Sequence, residues 1–322
     1  MSRILTGIQA TGTPHLGNIL GAILPAIELA KKEENESFLF IANLHSLTQI
    51  KDARILKNHT YEIAAAWLAC GLNTDKTIFY RQSDIPETCE LAWYLSCFFP
   101  YQRLTLAHSF KDKADRLRDI NTGLFTYPML MAADILLYDA EIVPVGKDQL
   151  QHLEMTRDVA IKFNNSMGKT FVVPEAKLQE NTKYVPGTDG QKMSKSKGNI
   201  LNIFLPEKEL KKQIFSIETD SKTLEEPKNP ETDKIFALYK LIASQEQTQN
   251  LKTKYLAGHY GYGHAKNELL ELILTQFAKE RTLFGEYMSN LSLLEKKLVE
   301  GAKKAREIAQ STLQKVKKNL GV

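Results

Sequence analysis

Short β-rich runs separated by longer helical stretches occupy the first half of this chain, and that alternation leaves few folds open. Runs over 4–8, 37–42, 77–80 and 141–145 read as strands. Between them, 17–32 carries Ile19, Ile23, Ile27 and Ala30 on one side, and 52–70 ends where Gly71 can stop a helix. Strands alternating with helices give a parallel sheet with helices on both faces. Beyond about residue 205 the strand signals cease, and 207–215, 233–243, 267–287 and 291–320 read as helices. The expected organisation is an α/β unit over 1–200 and an all-helical unit over 201–322, whose last helix can pack back on the first unit. The breaker-rich Pro186-Gly187-Thr188-Asp189-Gly190 lies near the junction.

A chain of 322 residues buries large cores without covalent staples. No apolar run approaches the roughly 20 residues needed to cross a bilayer. The segment 1–7 is too short and too soon interrupted for a secretory signal, so a cytoplasmic location is expected. Cys70, Cys89 and Cys97 fit neither a CxxC pair nor a zinc site, and Cys70 and Cys97 sit in apolar runs that predict buried thiols. The net charge of +4 is compatible with a polyanion partner without requiring one. The stretch 301–322 is more pointed: Lys303, Lys304, Arg306, Lys315, Lys317 and Lys318 face a single acid, Glu307. Ala305, Ile308, Thr312, Val316 and Leu320 form an apolar stripe on the same helix. The lysines opposite are therefore either phosphate contacts or a solvated face.

In an open parallel sheet, ligands collect beyond the carboxyl ends of the strands, and three segments should meet there. The run from Gly7 to Asn18 leaves the first strand and opens the first helix. Gly12 and Gly17 allow close backbone approach, the helix start offers unpaired N–H groups to phosphate, and His15 adds a donor. It is neither GxxxxGK[ST] nor GxGxxG. Gly146-Lys147-Asp148-Gln149 follows the strand Ile142-Val143-Pro144-Val145, and Asp148 can cap a helix or accept from ribose hydroxyls. Lys192-Met193-Ser194-Lys195-Ser196, with Lys197, is a compact positive cluster suited to stabilising a departing pyrophosphate. Met193 among polar neighbours marks an anchor that docks the loop. Taken singly, these also read as a glycine-rich turn, a helix cap and a solvated basic loop.

Together they resemble class I aminoacyl-tRNA synthetases. Lys192 to Ser196 is the KMSKS signature, and His15-Leu16-Gly17-Asn18 is similar to the HIGH signature, with Asn18 in place of the last histidine. The resemblance implies a Rossmann-like catalytic domain followed by a helical tRNA-binding domain. One further segment, 127–138, narrows the choice. Pro128 suits a first helical position. Asp134 interrupts an apolar run and shares a helix face with Tyr127, Leu130, Met131 and Tyr138. Such a carboxylate is either satisfied by neighbouring backbone or forms the polar wall of a pocket that reads one donor on an aromatic ligand. An indole N–H is such a donor, and it can only donate.

The chain resembles the bacterial-type tryptophanyl-tRNA synthetases over nearly its full length. The matching segments are Gly7-Ile8-Gln9, the run from Thr126 to Tyr138, Val143 through Gly146 and Asp148-Gln149 to Thr156-Arg157-Asp158, Val185-Pro186-Gly187 running into KMSKS, and Tyr260-Gly261-Tyr262-Gly263. The resemblance implies that Asp134 holds the indole nitrogen, with Met131, Val143, Gln149 and His45 around the same pocket and Tyr127 and Gln149 on the α-amino group. It places Gln9, Ala10, Thr11, His15, Gly17 and Asn18 on ATP, Gly146, Lys147 and Asp148 near its ribose, and Val185 at the adenine. Met193, Ser194 and Ser196 accompany Lys192 and Lys195 at the triphosphate, which Lys113 also reaches, so that catalysis rests on Lys192, Lys195, Gln9 and Lys113. Asn43 stands where relatives often carry Asp, and Ala10-Thr11 replaces the common Pro-Ser. The implied partners are L-tryptophan, ATP with Mg²⁺ held by phosphates rather than a protein cage, tRNA and a second copy of the chain. The aromatic-rich 91–99 serves that homodimer or the core. Tyrosyl-tRNA synthetases share fold and signatures but must satisfy a hydroxyl that both donates and accepts. A small-molecule nucleotidylyltransferase would lack KMSKS and the helical unit. An RNA-binding protein without catalysis is a third alternative.

Overall fold

The apolar run 38–41 explains the centre of the molecule. Neighbouring residues of a strand point to opposite faces. Phe38 and Phe40 enter one buried cluster, and Leu39 and Ile41 enter another. A strand buried on both sides needs a helical layer over each face, which is the usual situation of a parallel sheet. The computed structural model describes residues 2–107, 120–146, 149–178 and 184–322. Its strands are β1 (Ser2–Ile8), β2 (Asn35–Ile41), β3 (Ile78–Arg81), β4 (Ile142–Val145) and β5 (Glu175–Leu178). All pairings are parallel, in the order β3-β2-β1-β4-β5. The order reverses at β1, so the connections on either side part at its carboxyl end and leave a crevice there. The first four strands fall where the sequence predicts them. β5, Glu-Ala-Lys-Leu at a sheet edge, is too short and polar to announce itself.

The helix expected over 17–32 is a continuous helical run whose middle, Ile19–Ile23, is a π-helical turn between Leu16–Asn18 and Leu24–Ala30. Such turns are rare and cluster at functional sites. The helix Ala53–Ala69 starts as predicted, with the Asp52 carboxylate accepting from the Arg54 and Ile55 N–H groups. Pro128 does not open its helix. That helix runs Thr122–Leu136, capped by Asn121 accepting from the Leu124 N–H at 3.0 Å, and the proline lies inside it. The cap signal was earlier in the sequence than the proline.

The helical half holds Glu207–Phe215, Lys234–Ile242, Gln245–Ala257, Tyr262–Gln276, Ala278–Ser289 and Leu291–Leu320. The helix expected over 267–287 is thus two, broken at Phe277, whose backbone leaves helical geometry. Gln245–Ala257 was not anticipated, although Ser244 and Gln247 form a reciprocal capping box. Leu210, Leu269 and Leu298 share one apolar cluster with Leu39 and Ile41, so the helical half completes the core on one face of the sheet.

The last helix, Leu291–Leu320, packs against β3, the outermost strand on its side. Contact is so close at Gly301 that a methyl group there would lie 1.7 Å from the Phe79 carbonyl oxygen. Part of its basic character serves docking. Arg306 pairs with Glu87 at 2.8 Å, Lys317 with Glu90 at 2.6 Å, and Lys315 lies 3.9 Å from Asp139. Lys303 and Lys304 are exposed. Cys97 is exposed rather than buried, because Glu87–Phe98 turns that face outward; Cys89 is exposed and Cys70 half-buried.

Candidate active site

Beyond β1 the backbone is shaped for close approach. The Thr11 N–H donates to the Gln9 carbonyl at 3.0 Å, and Gly12 adopts φ 110°, which glycine alone accepts readily. His15 then caps the helix. Its Nδ1 accepts from the Asn18 N–H at 3.3 Å, and its own N–H donates to Asn18 Oδ1 at 3.2 Å. Asn18, at the position where the signature carries histidine, closes this reciprocal cap. With Nδ1 committed as an acceptor, the neutral ring is assigned its proton on Nε2. Burial, then the nearby Lys195 charge, lowers the His15 pKa to about 4, so near neutral pH the ring is an uncharged donor.

The KMSKS segment meets this turn. The Met193 N–H donates to the Val185 carbonyl at 3.0 Å and Pro186 bridges Lys192, which folds 185–193 into a narrow hairpin. Met193 is buried in the same cluster as Leu16, Ala10 and Val185. A methyl at Gly17 would fall 3.0 Å from the His15 ring and 3.4 Å from Met193 Cβ. The methionine is therefore the anchor its polar surroundings predicted. Lys195 Nζ donates to the Gly12 carbonyl at 2.6 Å. Burial lowers the Lys195 pKa to about 8, with Glu62 opposing. The Ser194 and Ser196 hydroxyls are 2.9 Å apart, and Lys192 and Ser196 are exposed.

Two residues of this half escaped sequence reasoning. Buried Asn199 accepts from the Ser194 N–H at 2.8 Å and donates to Asp189 at 2.7 Å and to the Lys192 carbonyl at 3.3 Å, so it holds the hairpin in shape. His59 stands beside Gly12: a methyl there would lie 3.4 Å from Lys195 Nζ and 3.7 Å from His59 Nε2. An Asn after Gly and a His on a polar helix face carry no signal of these roles.

A second cluster forms where β2 and β3 end. Asp134, 2% exposed, receives Gln82 Nε2 at 2.8 Å on each oxygen and lies 2.9 Å from His45 Nε2 through Oδ2. Burial raises the Asp134 pKa, and His45 and Gln82 pull it back. The Tyr127 hydroxyl and His152 Nε2 are 2.5 Å apart, and the Tyr127 ring meets His45 edge-on at 6.2 Å. Asn43 uses both sides of its amide on Ser83, donating at 2.8 Å and accepting from its N–H at 3.0 Å, which a carboxylate could not do. Met131 is half-buried and Val143 buried in the cluster that also holds Phe40. Gly146 follows β4 and accepts from the Gln149 N–H at 3.0 Å; Gln149 is exposed and precedes the helix Leu150–Met167 without a side-chain cap bond. The expectations for Lys113, Lys147 and Asp148 lie outside the described residues.

Both clusters sit at carboxyl ends of neighbouring strands, tied by the Ala42 N–H donating to the Ile8 carbonyl at 2.8 Å. Gly12, His15, Gly17, Asn18, Met193 and Lys195 come together in one, and Tyr127, His45 and Asp134 in the other. A separate groove of about 560 Å³ lies behind the hairpin, between Tyr184, Asp189 and the helix Lys234–Ile242, and none of the expected site residues lines it.

A family profile described as tRNA synthetases class I (W and Y) matches residues 1–278. The tryptophan–tRNA ligase of Fusobacterium nucleatum is 48% identical over 325 aligned positions, covering 100% of this chain and 98% of that protein. The crystal structure of tryptophanyl-tRNA synthetase from Campylobacter jejuni complexed with ADP and tryptophan superposes with a TM-score of 0.95 at 46% identity, covering 99% of this chain and 100% of that one. Tyrosyl-tRNA synthetase from Archaeoglobus fulgidus, at 17% identity and a TM-score of 0.65, shares the fold. The chain belongs to the class I tRNA synthetases for tryptophan and tyrosine, among the bacterial tryptophan–tRNA ligases.

Proposed function

We propose that this chain activates L-tryptophan with ATP, releasing pyrophosphate, and transfers the amino acid to the 3′ end of its tRNA. One observation carries the chemistry: Lys195 rests on the Gly12 carbonyl beside an uncharged His15, so the two signatures form one surface at the end of β1. The tryptophan carboxylate attacks the α-phosphorus, the C–O–P bond forms, and the bond to the β-phosphate breaks. A carboxylate is already nucleophilic, so no base is required, and rate comes from alignment and from stabilising phosphate charge. Lys195 and Lys192 serve the leaving pyrophosphate, His15 Nε2–H and the backbone of Gln9, Ala10 and Thr11 the nucleotide, and Mg²⁺ enters on the phosphates as part of the substrate. A terminal ribose hydroxyl of tRNA then attacks the carbonyl carbon and AMP departs.

For the amino acid, Asp134 reads the indole N–H, with Met131, Val143 and His45 around it and Tyr127 and Gln149 toward the α-amino group. An ionised carboxylate offers about four acceptor positions, and Gln82 and His45 supply three contacts to it. That leaves capacity for one more donor. Residues 1–200 act as the catalytic unit and 201–322 as the tRNA-binding unit, with the exposed Lys303 and Lys304 as phosphate contacts. Exposed Trp93, Tyr101 and Leu106 support a homodimer. Among the described residues no helix is long and apolar enough to cross a membrane. Amino-acid-dependent pyrophosphate exchange across all amino acids tests the proposal. Exchange with tryptophan supports it, and a preference for tyrosine overturns it.

A further inference from the structure

Gln82 lies far in sequence from every signature, yet it is fully buried and makes four hydrogen bonds. Its Oε1 accepts from the N–H groups of Leu44 at 3.0 Å and His45 at 3.4 Å. These belong to the first turn of the short helix Asn43–Ser46, whose N-cap residue, Ala42, offers no side-chain cap. Two backbone donors on one atom decide which end of the amide is oxygen. Nε2 must therefore face Asp134, and it donates to both carboxylate oxygens at 2.8 Å. The turn that carries Gln82, Gln82–Asp84, is pinned on both sides. Asn43 holds Ser83, and Arg81 is bound by Asp84 at 2.9 Å and by Glu295 of the last helix at 2.8 Å.

We infer that Gln82 is the positioning residue for amino-acid selection. Its two ends do different jobs. The oxygen fixes the helix that presents His45. The nitrogen, together with His45 Nε2, puts donors on both carboxylate oxygens and so favours the acceptor-only form of Asp134, whose remaining lone pair meets a ligand N–H. A protonated Asp134 would present a donor hydrogen instead and lose its preference for an indole. This inference rests on the proposed reading of Asp134.

The test compares tryptophan with 3-(benzothiophen-3-yl)alanine, in which sulfur replaces the indole N–H, by pyrophosphate exchange with the full chain. A hydrogen bond to a charged acceptor predicts that the wild type prefers tryptophan by about 10- to 100-fold in kcat/KM. Gln82→Met removes the donor to Asp134 and, with it, the acceptor for the Leu44 and His45 N–H groups. It is expected to bring the ratio within about 3-fold through loss on tryptophan alone, with KM for ATP unchanged. A folded Gln82→Met variant that keeps the wild-type ratio overturns the role of Gln82 and leaves Asp134 standing. A wild type that does not distinguish the two amino acids overturns the reading of Asp134 and this inference with it. Should Gln82→Met not fold, Gln82→Leu is judged by the same ratio.

Discussion

Lys195 Nζ lies 2.6 Å from the carbonyl oxygen of Gly12, 183 residues away in sequence. The contact buries an ammonium group against the turn that follows β1, and burial, opposed by Glu62, draws its pKa from 10.5 down to about 8. Under the proposed function a triphosphate arriving at that turn would restore the charge, which would link nucleotide binding to protonation of Lys195.

The sign of that linkage is testable. Below about pH 7 the lysine is already charged, and KM for ATP should be flat. As pH rises through about 8 the charged form is lost from the free protein, ATP must bring a proton with it, and KM should climb. Lys195→Arg keeps its charge and should flatten the climb. Lys195→Ala should slow adenylate formation by about 100-fold or more with tryptophan binding nearly intact. Exchange kinetics from about pH 6.5 to 9.5 provide the check, and a level wild-type KM for ATP throughout would contradict the linkage.

His15 should contribute no ionisation limb near neutrality. Its pKa of about 4 keeps the ring uncharged until the medium is strongly acidic. In an NMR titration its ring carbon proton should shift well below the range of an ordinary histidine, near 6.5. A midpoint above about 6 would mean that the ring is solvated and the cap open.

Asp134→Asn should raise KM for tryptophan by about 10- to 100-fold, the scale of a lost charge-assisted hydrogen bond, while KM for ATP stays within about 2-fold. Tryptophan-dependent exchange measured at saturating ATP separates the two. Equal losses for both substrates would point to collapse of the Gln82–His45 network rather than to lost recognition.

Gly301→Ala should destabilise by about 2–3 kcal/mol, because backbone of β3 occupies the space and cannot step aside. Arg306→Ala on the same helix should cost less, about 1–2 kcal/mol, since Gln310 still donates to the buried Glu87 carboxylate. Thermal melts of both variants make the comparison. A larger loss at Arg306 would show that charge rather than close backbone contact seats the helix.

The sheet and its order of elements were legible because parallel strands are buried on both faces and write continuous apolar runs. The half proposed to hold the nucleotide was legible because Gly12, Gly17, His15, Met193 and Lys195 lie in two short contiguous segments. Read from the residues alone, the other half was legible only at Asp134, a charge inside a greasy helix; the family resemblance added His45, Met131, Tyr127, Val143 and Gln149 but not Gln82. Its partners, Gln82 and His45, sit on different strands' loops, and a glutamine at a strand end looks like any polar surface residue until the fold buries it. Asn199 was hidden for the same reason. Pro128 misled about where its helix begins, since an interior proline and a first-turn proline look alike in sequence. The break at Phe277, a buried residue of the core, leaves no mark in the local periodicity.

The seat of Gly301 on β3 also orders events in time. While the protein is being made, every strand and both signatures emerge before the segment that shields the sheet's outer margin. Until Leu291–Leu320 has left the ribosome, β3 presents bare backbone to other nascent chains, an aggregation hazard of incompletely assembled sheets. A stalled or truncated chain is therefore expected to carry all of its chemistry-bearing residues and yet be sticky rather than active.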